Sequence, residues 1–351
     1  MNFASDNVYG VHPAILQALS DANAGTAASY GYDDLTKSAE EELSRVFERD
    51  VKAYLVTTGT AANGLALSAI APGYGAVFAH CGAHVFEDEC NSPEFFTGGA
   101  KILGLSGDDG KVTPASISHA LRSFVKAEHD PKPKGVSITN VTELGTVYRP
   151  GEIAALSAFG RERGMKLHMD GARFANALAA SDATPAELTW KSGVDVLSFG
   201  GTKNGAMMLE AVVFFDLHLA EEFKYRRMRG GQLVSKSRYL AAQMLAYLAD
   251  GLWLDMARNA NELAARLAKG LSANPAIRIP LPVEANIIWA IMPRSLFEKL
   301  VAAGVRIAAR RPPGVIERCQ EDEAAVRMVT SFATPEADIE RFVALVSETQ
   351  P

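Results

Sequence analysis

Short apolar runs alternate with amphipathic stretches over the first two thirds of the chain. The runs at 53–57, 76–80, 101–105, 135–139, 167–169, 194–199 and 211–215 have the length and residue types of buried strands. Between them the spacing turns helical. Ile15, Leu16 and Leu19 form one stripe behind Pro13, with Gly25 as a stop. Leu43, Val46 and Phe47 form another, behind Ser38 and Glu41 spaced as a capping box. Helical patterns also cover 63–70, 114–125 and 150–163, the last with Glu152 in its first turn. Strands separated by helices imply a mostly parallel sheet with helices on both faces. Such sheets hold their ligands at the carboxyl ends of the strands.

From about Ser237 the pattern changes. Leu240, Met244, Tyr247 and Leu248 give helical spacing up to Asp250-Gly251, and Leu252, Met256, Leu263 and Leu267 continue it. Short strands are expected at 287–291, 305–307 and 328–331, with helices at 296–303 and 338–346. The division expected is an extended arm over 1–12, a large domain over 13–250 and a small α+β domain over 251–351.

Composition narrows the class. The chain has 351 residues, 48% hydrophobic and 22% charged, in the ordinary range for a soluble globular protein. A net charge of −6 gives no reason to expect nucleic acid or an anionic membrane as partner. No basic, apolar leader opens the sequence and no apolar run reaches membrane-spanning length. Cys81, Cys90 and Cys319 are few, odd in number and without zinc spacing, so no metal site is expected and a reducing cytoplasm fits best.

Three stretches carry candidate chemistry. The run at 194–199 empties into Gly200-Gly201-Thr202-Lys203-Asn204-Gly205, where one lysine sits among three glycines. A desolvated amine in such a loop suits imine chemistry with a carbonyl; a lysine after a strand is otherwise most often a solvated surface group. In His168-Met-Asp-Gly-Ala-Arg173 a strand ends at Asp170, whose carboxylate can hold a heteroaromatic nitrogen protonated. Capping the next helix, or pairing with Arg173, is the plain alternative. In Thr57-Thr-Gly-Thr60 a strand, a glycine turn and a helix start leave N–H groups converging on an anion. It lacks a P-loop lysine and dinucleotide glycine spacing, which disfavours a nucleotide. An imine-forming lysine, a pyridinium carboxylate and a phosphate cradle together describe pyridoxal 5′-phosphate.

With these motifs the chain resembles the low-specificity L-threonine aldolases, fold-type I pyridoxal-phosphate enzymes of the β-eliminating-lyase superfamily. The resemblance rests on Phe3-Ala-Ser-Asp-Asn7, Tyr30-Gly-Tyr-Asp33, Gly59-Thr-Ala-Ala-Asn63, Ala83-His-Val85 through Asp88-Glu-Cys90, Pro93-Glu-Phe-Phe96, Thr142-Glu143 through Arg149-Pro150, 168–173 and 199–205. It is weakest after about position 270.

The resemblance implies a fold-type I α/β large domain with a mostly parallel mixed sheet, plus the smaller C-terminal domain. By the same resemblance Lys203 would hold the cofactor, Asp170 would pair with its ring nitrogen, and Gly59, Thr60 and Thr202 would bind its phosphate. His84 would stack on the ring and could move protons. Arg173, Arg327 and Ser5 would bind the substrate carboxylate, with Arg310 and Arg311 as rivals to Arg327, and Arg173 would also lie near the cofactor. His129 and Asp88 resemble groups near the substrate hydroxyl. Tyr30 would lie near the cofactor, and Lys236 would touch phosphate from a partner chain. Sites shared in that way imply a homodimer or homotetramer.

The implied reaction is retro-aldol cleavage of L-threonine, L-allo-threonine and related β-hydroxy-α-amino acids to glycine and an aldehyde. A phenylserine-type aldolase, another β-eliminating lyase or aminotransferase, a cofactor-binding protein without turnover, and a nucleotide-binding protein are the alternatives.

Overall fold

The structure is a computed structural model that describes residues 1–348. Seven strands build the main sheet: β1 Lys52–Val56, β2 Gly75–His80, β3 Lys101–Leu105, β4 Lys132–Thr139, β5 Lys166–Gly171, β6 Val196–Gly200 and β7 Glu210–Phe214. Their spatial order is β1-β7-β6-β5-β4-β2-β3. The four pairings from β3 through to β6 are parallel, whereas β7 runs antiparallel to both β6 and β1. The sheet is therefore mostly parallel but mixed. Because β7 is reversed, its first residue, Glu210, lies at the edge where β6 ends: Gly200 pairs with Glu210 in register.

A second sheet of three strands, β8 Ile287–Pro293, β9 Ala308–Ala309 and β10 Glu323–Val329, is antiparallel in the order β8-β10-β9. The helix Leu252–Leu271 packs along the main body and also forms part of this sheet's core through Leu263, Leu267 and Leu271. Residues 349–351, at the end of the expected small domain, lie outside the described residues.

Helices Pro13–Asp21, Gly59–Ile70, Pro150–Arg161 and Arg238–Leu248 match the helical spacing. The capping box expected at Ser38 and Glu41 is not used. That helix starts earlier, at Asp34, with Asp33 as its cap: the Asp33 carboxylate accepts from the Thr36 N–H at 2.9 Å. A strong capping residue sat inside what read as a loop. The strand expected at 305–307 is displaced to β9, and Arg306 instead bridges Asn2.

The arm does not stand apart. Phe3 donates its N–H to Arg306 and accepts from Val329, and its buried ring lies 5.2 Å from that of Phe342. The first residues thus extend the second sheet, and the following turn, Asp6–Val8, is carried back to the main one.

An aromatic cluster sets the end of β6. Phe199 packs on Phe47, Phe174, Tyr247 and Trp253 with ring centroids 5.7–6.1 Å apart. Burial of rings of this size contributes roughly 2–3 kcal/mol each, so the last turn of β6 is held from below. One residue past Lys203, Asn204 donates to the Tyr247 hydroxyl at 2.9 Å and to the Trp253 carbonyl at 2.8 Å. The loop bearing the lysine is anchored on both sides.

Candidate active site

The carboxyl edge of β1, β5 and β6 opens into a cavity of about 270 Å³. Asn7, Thr57, Thr58, Gly59, Thr60, Asn63, His84, Asp170, Ala172, Thr202, Lys203 and Glu210 line it. Two glycines bring its floor together. A Cβ on Gly200 would meet the Ala172 carbonyl oxygen at 2.5 Å, and one on Gly171 would meet the Ser198 carbonyl oxygen at 2.8 Å. Only bare backbone lets the loops after β5 and β6 touch, and that contact places Asp170 beside Lys203.

Asp170 is 2% exposed. It accepts from Asn63 Nδ2 at 3.0 Å and from the Ala172 N–H at 3.0 Å, and no cation lies within 4 Å of it among the described residues. A carboxylate buried without a counter-charge is costly. It suits a cavity whose ligand brings a positive nitrogen.

The helix Gly59–Ile70 starts at the opposite wall. The Thr58 hydroxyl caps it by accepting from the Ala61 N–H, which leaves the N–H groups of Gly59 and Thr60 without helical partners. A Cβ on Gly59 would meet nothing within 4 Å, so the backbone faces open space there. A helix start with free N–H groups of this kind can seat a phosphate. Lys203 is half-buried, and among the described residues no hydrogen bond holds its amine. The residues present fit pyridoxal phosphate: an amine, a buried anion and an anion seat around one cavity.

His84 enters from the third side. Its Nδ1 stands 2.8 Å from Glu89 Oε1, which also accepts from Asn63 Nδ2 at 2.8 Å. One chain of hydrogen bonds therefore runs from His84 through Glu89 and Asn63 to Asp170. The bond to Glu89 raises the His84 imidazole above its ordinary value, and the Asp170 and Glu143 charges add to this. Burial also pushes the Glu89 carboxyl up. With Nδ1 engaged, Nε2 is the nitrogen left to face the cavity.

Several expected residues lie elsewhere. Asp88 is exposed, and the neighbouring Glu89 is the acid that reaches His84. A helical turn over His84–Glu87 directs 88 outward and 89 inward, which two adjacent acids in sequence do not reveal. His129 is exposed in the turn before β4, at the amino end of that strand and the opposite edge of the sheet from Asp170. Tyr30 and Lys236 are exposed outside the cavity; the Tyr30 N–H binds the carbonyl of Ser235, so the two share one surface patch.

Arg173 is buried and committed to Asp6 through Nε at 2.6 Å and Nη2 at 3.0 Å, with Asn286 adding a bond to Asp6 at 3.1 Å. It does not line the cavity. Ser5 caps the short turn after it by accepting from the Asn7 N–H, and Asn7 lines the cavity instead. Arg327, on β10, is half-buried with its side chain 15% exposed, its Nε buried without a partner among the described residues and its Nη1 3.7 Å from Glu143. Burial lowers its affinity for a proton, as does the Arg173 charge. Arg310 and Arg311 are exposed and line a separate hollow with Glu321 and Ala324.

A β-eliminating lyase model matches residues 2–293. The chain belongs to the β-eliminating lyase family. It is 46% identical to the low specificity L-threonine aldolase of a Pseudomonas species over 87% of this chain and 88% of that one. The Leishmania major threonine aldolase structure superposes with a TM-score of 0.91 at 29% identity, covering 99% of this chain and 98% of that one. The Oryza sativa TDC structure with PLP shares the fold, at a TM-score of 0.78 and 14% identity over 99% of this chain and 82% of that one. The fold is fold-type I, and the enzyme is a pyridoxal-phosphate-dependent lyase.

Proposed function

We propose that the enzyme cleaves the Cα–Cβ bond of L-threonine, L-allo-threonine and related β-hydroxy-α-amino acids, releasing glycine and an aldehyde. The observation that carries this reading is the convergence of Lys203, Asp170 and the free N–H groups of Gly59 and Thr60 on one cavity, with His84 facing it. When bound, pyridoxal phosphate supplies an electron sink for the carbon left when the bond breaks.

The chain's own residues do the rest. Lys203 holds the cofactor through its amine, and Asp170 keeps the ring nitrogen protonated, because a buried anion favours the charged form of its neighbour. Gly59 and Thr60 seat the phosphate, and the Thr202 hydroxyl lies at the same wall. Arg327 offers its unpartnered Nε and a weakly engaged Nη1 to the substrate carboxylate, in the fork that a guanidinium presents. His84 takes the hydroxyl proton on Nε2, and Glu89 balances the imidazolium that forms. Arg173 supports the site by holding Asp6 and, through it, the arm that carries Asn7.

The cysteines at 81, 90 and 319 are unpaired, which supports the cytoplasm, and no helix among the described residues is long and apolar enough to cross a membrane. Exposed Tyr32, Phe95, Tyr225 and Met228 support a homodimer or homotetramer.

The test is a product assay with L-threonine, L-allo-threonine and phenylserine. Aldehyde and glycine are expected in equal amounts, with Lys203→Ala reduced by on the order of 10⁴-fold or more. Ammonia and a 2-oxo acid in their place would move the enzyme to β-elimination.

A further inference from the structure

Glu210 has no part in the reaction as described. It is the one charged residue of β7, whose sequence is otherwise Ala-Val-Val-Phe. The reversed direction of that strand carries it to the site edge, paired in register with Gly200 on one side and Val56 on the other. It therefore stands between the strand that feeds Lys203 and the strand that feeds the Thr57–Thr60 turn. Its side chain lines the cavity and is 6% exposed. No cation lies within 4 Å of it among the described residues. A carboxylate beside a phosphate seat is unfavourable unless something positive shares the space.

We propose that Glu210 is the counter-charge and proton store of the Lys203 nitrogen. As the ammonium of Lys203 becomes a nucleophile, one proton leaves Nζ and is taken up by the Glu210 carboxylate across the cavity, relayed by solvent because the two groups stand more than 4 Å apart. An N–H bond breaks, an O–H bond forms, and the pair goes from one positive and one negative group to two neutral ones. No other reactant is needed.

The surroundings are consistent with this. Thr202, the residue before Lys203, is fixed against Leu209, the residue before Glu210: its hydroxyl accepts from the Leu209 N–H at 2.9 Å and donates to the Leu209 carbonyl at 3.3 Å. Burial pushes the carboxyl up to about 7, against the pull of Thr202 and Lys203, while Asp170 adds to the rise. The other charged groups at the cavity have partners of their own. Asp6 on the arm also acts on Lys203 but is held by Arg173 and Asn286. Asp170 is held by Asn63 and the Ala172 N–H, and His84 by Glu89. Glu143, whose charge also acts on His84, faces Arg327. Glu210 and Lys203 are left facing one cavity, more than 4 Å apart and with no ion pair to any other group among the described residues.

The proposal rests on Lys203 being the cofactor amine. The measurement is the pH titration of the visible absorbance of the cofactor-loaded enzyme, which reads the proton on the Lys203 nitrogen, for wild type, Glu210→Gln and Glu210→Asp. An adjacent carboxylate favours the protonated nitrogen, so its removal in Glu210→Gln should lower the midpoint by about one pH unit, while Glu210→Asp stays within a few tenths. In the wild type an infrared carboxyl band, absent from Glu210→Gln, should titrate between about pH 6 and 8. A Glu210→Gln midpoint equal to wild type overturns the proposal, leaving Glu210 as a prop for Thr202. So does a wild-type enzyme without the infrared band, which needs no variant to fold. A wild type that takes up cofactor without any visible band overturns the reading of Lys203, and this proposal with it.

Discussion

Asp6 and Asp170 are both buried carboxylates beside the same cavity, and the fold treats them in opposite ways. Asp6 receives two bonds from Arg173 and one from Asn286. It ties the arm, the end of β5 and the second sheet into one body. Asp170 receives two neutral donors and no cation. The charge that the chain neutralises is structural, and the charge that it leaves open is the one a ligand must meet. Burial alone marks neither as functional; the absence of an internal partner does.

The largest effect expected from this contrast is on turnover. Asp170→Asn should lower kcat/KM by about 10²–10³-fold, roughly 3–4 kcal/mol of lost electrostatic stabilisation. The same change should leave the melting temperature of the cofactor-free protein unchanged or raised, because an unpaired buried charge is removed. A cofactor-free Asp170→Asn that melts well below wild type would break the contrast.

Asp6→Asn should do the reverse. Denaturant unfolding at neutral pH should show about 3–5 kcal/mol lost, since Arg173 is left buried and unpaired. Burial pushes the Asp6 carboxyl up, but the Arg173 charge and hydrogen bond outweigh it and hold it below the usual carboxylate range. A group lowered on folding stabilises above its unfolded value, near 3.9, and loses that contribution as pH falls through the folded one. The gap between wild type and Asp6→Asn should therefore narrow below about pH 4, and a gap that widened there would refute the pairing.

Arg327 sharpens the comparison from the substrate's side. Arg327→Lys keeps the charge but not the fork, and should raise KM for threonine about tenfold with kcat changed less. Arg310→Ala should stay within about twofold; if it is the costlier change, the roles are exchanged.

The smallest expected effect is on the acid limb of the kcat/KM profile. The bond to Glu89 raises His84, and a base must be neutral to accept a proton, so activity should rise with pH through a value above the ordinary histidine range. Glu89→Gln should move that limb down by about half a unit or more, toward 6.5. An unmoved limb would assign the base to another group.

The strand and helix order and the cofactor motifs were legible because periodicity and glycine-bounded turns are local properties, whereas the mixed character of the sheet was implied only by the family resemblance. Lys203, Asp170 and the Thr57–Thr60 turn could be picked out because each sits at the end of an apolar run. Glu89 was hidden behind Asp88: which of two adjacent acids faces inward depends on one helical turn. Asp6 was a letter in a matching stretch until its partner 167 positions away was in place. Glu210 did leave a signal, a lone carboxylate heading an apolar strand, but its meaning depended on the direction of that strand.

What the sequence determined by itself is where chemistry can occur: a rigid strand end followed by glycine exposes whichever side chain comes next. What only the tertiary structure decided is which charges cancel. Arg173 reads equally well as a ligand for substrate, cofactor or protein, and it is spent on Asp6 because the arm folds back onto the second sheet. Charge balance in a low-dielectric interior is set by distances between residues remote in the chain, and no local pattern encodes those distances.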